Sequence, residues 1–124
     1  MTFVPLRVRS HGSLLWGTAA PAALVERAAA LGYRALALAD RDNLYLAVAF
    51  DQAALAAGLV PLLGAEVTPA ANARTGALLL PLDRRGYANL CAVVTARHLD
   101  ADFDLARALG GAHAGLHVVV ESPG

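Results

Sequence analysis

The chain has 124 residues, enough for one domain with a real core. Ten arginines balance ten acidic residues, there is no lysine, and 57% of the residues are apolar. Such a balance argues against nucleic-acid binding by electrostatics alone. No apolar run reaches the roughly 18 residues of a membrane span, and the N-terminus lacks the ordered regions of a signal peptide.

The absence of lysine, beside so much Ala, Leu, Gly and Arg, reads as a compositional bias of the source genome. Cys91 is the sole cysteine, so no disulfide framework is expected, and a cytoplasmic, reducing setting fits. The surplus apolar surface points to a protein partner or a second copy rather than a membrane.

Residues 3–9 read as a first strand. Arg7 and Arg9 alternate with Leu6 and Val8, so the two cations share a face and need carboxylates, phosphates or water nearby. Pro21 opens a helix with an apolar stripe of Leu24, Ala28 and Leu31, closed by Gly32. Residues 35–39 are a short apolar run typical of a strand buried on both faces. Asp42 or Asn43 is expected to cap a second helix over 44–57, which Gly58 ends.

A third strand spans 59–67, with Gly64 permitting close backbone approach and Glu66 near its end. Residues 68–76 form a loop and 77–82 a fourth strand. Asp83 caps a third helix whose apolar stripe is Tyr87, Leu90 and Val94. Asp102 caps a shorter one, which Gly110 and Gly111 end. Residues 116–120 are the last strand. The order β-α-β-α-β-β-α-α-β implies an α/β fold with a largely parallel sheet and flanking helices.

Charged residues off the helix faces gather where strands end: Arg9, Asp40, Arg41, Asp42 and Glu66. Ligands of α/β folds bind at the carboxyl ends of parallel strands, so these five mark a site or the remains of one. His11, His98, His113 and His117 lack metal-ligand spacing. Ser10 and Ser13 have no His/Asp partners for nucleophilic catalysis, and no Gly-rich phosphate loop is present.

Several collinear motifs resemble the polymerase and histidinol phosphatase (PHP) domain of bacterial C-family DNA polymerases, which include the DNA polymerase III alpha subunit and error-prone polymerases. They are Leu6-Arg7-Val8-Arg9-Ser10, Ser13-Leu14-Leu15-Trp16-Gly17, Leu31-Gly32, the run from Ala35 through Asp40-Arg41-Asp42-Asn43-Leu44, Ala47-Val48-Ala49-Phe50, Gly64-Ala65-Glu66-Val67, and Gly86-Tyr87-Ala88-Asn89-Leu90. The resemblance implies a partial (β/α)7 barrel, with residues 1–124 forming a single domain that covers only its first part. Open strand edges would then explain the apolar surplus.

Active family members hold metal ions with His and carboxylate ligands and hydrolyse phosphate esters or proofread 3′ ends. Here Arg7 and Arg9 stand where the family has histidines, Trp16 where it has Asp, and Arg41 where it has His. Only Glu66 matches a ligand, with Asp40 beside it. Arginine has no lone pair to give a cation. The resemblance therefore implies vestigial metal-site positions at Arg7, Arg9, Trp16, Asp40, Arg41 and Glu66, with no bound metal, no catalytic residue and no cofactor.

The leading expectation is a non-catalytic module with a structural or protein-interaction role in DNA replication or repair, its partners being polymerase subunits or a second copy. Two alternatives stand beside it. One is a metal-dependent phosphoesterase or 3′-5′ exonuclease using Zn or Mn with unusual ligands. The other is a phosphate or DNA-end binding module built from Arg7, Arg9 and Arg41.

Overall fold

The computed structural model describes residues 4–6, 8–10, 20–69 and 76–120. Among these, the elements are α1 (Pro21–Ala30), β1 (Ala35–Arg41), α2 (Ala47–Ala56), β2 (Val60–Val67), β3 (Ala77–Pro81), α3 (Arg84–Leu99), α4 (Leu105–Gly111) and β4 (Leu116–Val119). The first-strand segment is present as a single parallel bridge between Val8 and Leu38. Val8 N–H donates to Ala37 O at 3.1 Å, and Ala39 N–H donates to Val8 O at 2.7 Å. This segment therefore lies alongside β1 and delivers Arg9 and Ser10 to the carboxyl end of the sheet.

The α/β class and the flanking helices agree with the sequence reading, but the sheet is mixed rather than largely parallel. Its order is β1-β2-β3-β4, with β1 parallel to β2 and both remaining ladders antiparallel. For β2 and β3, connection length decides this. A parallel return needs a crossover of about a dozen residues or more, and the stretch between β2 and β3 is shorter than that.

Two apolar clusters cover the helix-bearing face. Val25 and Ala28 of α1, Leu36 and Leu38 of β1, and Phe50 and Ala54 of α2 form one. Ala65, Val67, Ala77 and Leu79 of the sheet pack with Leu90, Val93 and Val94 of α3 in the other. Leu31 is 54% exposed because α1 stops one residue before it, so the buried stripe runs through Pro21, Val25 and Ala28 instead. In α3 the buried side is Gly86, Leu90, Val93 and Val94, with Tyr87 half-buried at its margin.

Helix ends follow their local chemistry. Gly32 and Gly58 adopt positive φ, as a chain leaving a helix requires, and both lie where the sequence placed the stops. Asp83 caps α3 by accepting from the Gly86 N–H at 2.7 Å. Two other assignments change. Asp104, not Asp102, caps α4, accepting from Arg107 N–H at 3.0 Å, while the Asp102 N–H is taken by the Asp100 carboxylate. Neither Asp42 nor Asn43 caps α2, which starts at Ala47 after Leu46 with no side-chain cap. Asn43 instead closes a local turn, accepting from Tyr45 N–H at 3.2 Å.

One close approach fixes the α3–β4 junction. A Cβ placed on Gly86 would sit 1.9 Å from the Gly115 carbonyl oxygen, and that same oxygen accepts from Leu82 N–H at 2.7 Å. Gly86→Ala should therefore force the helix off the strand and lower stability by about 2 kcal/mol or more in chemical denaturation. Phe50→Ala, at a side chain with no exposed surface, should cost about 3–5 kcal/mol in the same measurement.

Burial raises the Tyr87 phenol pKa, and the adjacent Cys91 and Asp51 add to the rise. The folded state thus favours the neutral phenol. Stability should be level below the ordinary tyrosine range and fall as pH rises through the higher folded value. Tyr87→Phe should remove that part of the alkaline loss, read from denaturation midpoints across pH.

Candidate functional site

The carboxyl ends of the first segment, β1 and β2 bring together Arg9, Ser10, Asp40, Arg41 and Glu66. Strand alternation then sorts them by face. Arg41 and Glu66 are register partners across β1 and β2, and so are Asp40 and Ala65. Ala65 belongs to the cluster under α3, so Asp40 points toward the helix layer while Arg41 and Glu66 point to the opposite face. Val8 packs into the helix-side cluster, which sends Arg9 to the same face as Glu66.

Both carboxylates are 1% exposed, and each is met by a partner. Arg9 Nη2 donates to Glu66 Oε2 in an ion pair that buries the glutamate side chain and leaves the arginine partly accessible. Asp40 is clasped by Ser10, whose backbone N–H and hydroxyl each donate to one carboxylate oxygen at 2.6 Å. Arg41 is half-buried beside Glu66. Sequence reasoning grouped Asp40 with Glu66 as one cluster. The structure gives them separate partners on separate faces. Arg7 and Trp16, like His11, lie outside the described residues.

A second polar network sits behind this one, and sequence reasoning missed it. Asp42 holds φ +54, an unusual value for a residue that is not glycine. Its carboxylate accepts from the Thr68 backbone N–H at 2.7 Å and from the Thr68 hydroxyl at 2.6 Å. From α3, Arg97 Nε donates to Thr68 O at 2.8 Å, and the His98 Nε2 lies 2.5 Å from Asp42 O. Arg97 also stands over the Phe103 ring at 5.8 Å. Asp42 is thus not a helix cap; it fastens the end of β1 to the end of β2. An arginine and a histidine in the last turn of a helix read in sequence as dipole partners, which hides this longer reach.

Among the described residues, no three His, Cys, Asp or Glu side chains come together as a metal-binding set. His113, just past the end of α4, turns to Leu109 O, and His117 lies on β4, paired with Leu80 and two strands away from Glu66.

The matched family model is the PHP domain, over residues 5–116. The chain belongs to the PHP domain family. An error-prone DNA polymerase of Anaeromyxobacter sp. (strain K) is 46% identical over 99 residues, which are 77% of this chain and 9% of the polymerase. The corresponding enzyme of Mycobacterium bovis is 38% identical over 129 residues, covering 91% of this chain and 12% of its own. This PHP chain therefore spans about a tenth of the length of the curated relatives it matches.

Among solved structures, an amidohydrolase from Chromobacterium violaceum with bound sulfate and no metal superimposes with a TM-score of 0.57 at 28% identity, over 76% of this chain and 34% of that one. A Bifidobacterium adolescentis protein assigned as a metal-dependent phosphoesterase shares the fold with a TM-score of 0.58 at 21% identity, over 90% and 51%. No helix among the described residues is long and apolar enough to cross a membrane.

Removing one partner of a buried pair strands the other. Glu66→Gln should destabilise the fold by about 3 kcal/mol, and Arg9→Met combined with Glu66→Leu should recover most of that loss, both measured by urea denaturation.

Proposed function

We propose that this chain is a non-catalytic PHP module with a structural or protein-interaction role in DNA replication or repair. The observation that carries this reading is the Arg9 guanidinium seated on the buried Glu66 carboxylate. A carboxylate surrounded by other acidic or imidazole ligands needs a cation to neutralise it. Here the cation is a side chain of the protein itself, and a guanidinium offers no lone pair to a metal. Zinc needs at least three protein donors to be held firmly, and a two-metal hydrolytic centre needs more. Among the described residues, the donor set around Glu66 does not fit either.

The error-prone polymerases among the relatives supply the replication and repair context, and the fold supplies the scaffold. The arginines at Arg7, Arg9 and Arg41 support a second reading, an anion pocket for phosphate or a DNA end. Its specific support is the Chromobacterium amidohydrolase, which holds sulfate without metal. In this chain Glu66 already neutralises part of that charge, which weakens the anion reading relative to the first.

Metal analysis of the purified protein, after dialysis against Mn and Zn, should find far less than one equivalent bound. Phosphodiester hydrolysis should be absent or unchanged by Glu66→Ala. Metal-dependent turnover that Glu66→Ala abolishes would establish a phosphoesterase or exonuclease instead. Salt-sensitive DNA-end binding lost in Arg9→Ala would establish the anion pocket.

A further inference from the structure

Helix α2 is apolar on the side away from the core as well as on the side facing it. Its buried residues are Ala47, Phe50 and Ala54. Away from them, Val48 is 66% and Leu55 62% exposed, two turns apart on one line, and Tyr45 just ahead of the helix is 75% exposed. The one charge of α2, Asp51, is half-buried beside Tyr87 of α3. Gln52 is therefore the only polar side chain on the exposed side of α2. A helix that faces water carries charges there, and an apolar line in their place marks a contact surface.

A groove of about 370 Å³ runs between α1 and α2, lined by Val25, Glu26 and Ala29 of α1 and by Ala53, Ala56 and Ala57 of α2. By helical period, Ala53 and Ala57 lie on the flank of α2 opposite Val48 and Leu55. One outward surface thus holds a ridge on one margin and a depression on the other. Its two polar groups are also complementary, since the Glu26 carboxylate only accepts hydrogen bonds and the Gln52 amide has two donors. Each is the sixth residue of its ten-residue helix, which sets them at one level on two helices running the same way.

We propose that the outer surface of α1 and α2 pairs with a second copy of this chain, Val48 and Leu55 of each copy entering the α1–α2 groove of the other and Gln52 donating to the other copy's Glu26. The choice of occupant follows from self-complementarity. A twofold contact sets residue i against j and j against i. With the axis running along α2, levels are kept and margins exchanged, so ridge meets groove and the Gln52 amide meets the Glu26 carboxylate. Two ten-residue helices about 10 Å apart present a face of roughly 15 by 20 Å. That is well under the ~800 Å² each partner gives a standard interface, so the pair is a weak, reversible one. The proposal rests on the protein-interaction part of the function proposed above, and it does not depend on the state of the Glu66 site.

The test is sedimentation velocity of the 124-residue chain from about 5 μM to about 1 mM, where a monomer should pass reversibly into a dimer. Val48→Glu and Leu55→Glu put a good helix former at exposed positions. Each should weaken the dimer about tenfold or more while keeping the parent's circular dichroism. Gln52→Glu should weaken it as well by setting two carboxylates together, and adding Glu26→Gln exchanges the two partners and should restore the parent's profile. A monomer at every concentration would overturn the proposal. So would growth beyond a dimer, a dimer that the glutamate substitutions at Val48 and Leu55 leave intact, or an exchange that restores nothing. Metal content and hydrolysis are read separately from mass, so failure here leaves the reading of the Glu66 site standing, and the reverse holds too.

Discussion

Burying an ionised carboxylate is costly unless its lone pairs are filled, and two of them are buried at the carboxyl end of this sheet. That constraint organises the whole end of the molecule. Glu66 is answered by a guanidinium from the first segment, and Asp40 by a serine from the next residue along. Because both partners come from residues 9 and 10, the N-terminal segment is held to β1 and β2 by charge-assisted contacts as well as by its bridge at Val8. Arg9, which in sequence suggests a basic face seeking an anion, is in the folded chain a clamp.

On the proposed reading, membership of the PHP family and an arginine in place of a metal ligand are compatible because the packing does not run through that position. Apolar clusters on the helix side carry the packing, and the opposite face can exchange a metal for an arginine if the charge balance is kept. On that reading, a guanidinium in place of an imidazole does more than delete a ligand. It supplies permanent positive charge where a divalent ion would otherwise supply it, so the remaining carboxylate stays satisfied.

Much of the fold was legible because single residues carry local rules. Gly32 and Gly58 mark helix exits, Asp83 reads as a cap, and Gly64 sits where its neighbour's backbone comes within 2.7 Å of a Cβ position. Where several residues offer the same chemistry, the sequence does not choose. Asp100, Asp102 and Asp104 are all competent caps, and only the path of the chain selects Asp104. The site was legible as a rim of charges, since all five residues lie at or just past the carboxyl ends of strands. Its division into two faces was not, because alternation counts only once the strand register is known. The contact from Arg97 to Thr68 spans 29 residues and leaves no local trace.

The clamp of Asp42 on Thr68 has a mechanical meaning as well. One apolar cluster belongs to α1, β1 and α2, and the other to α3, α4 and the later strands. Beyond the sheet hydrogen bonds, Asp42, Thr68, Arg97 and His98 tie the two together at one corner. Asp42 holds a positive φ that most residues avoid, with its carboxylate filled by Thr68. Through these four residues the packing of one cluster is joined to the packing of the other at a point where no apolar side chain is involved.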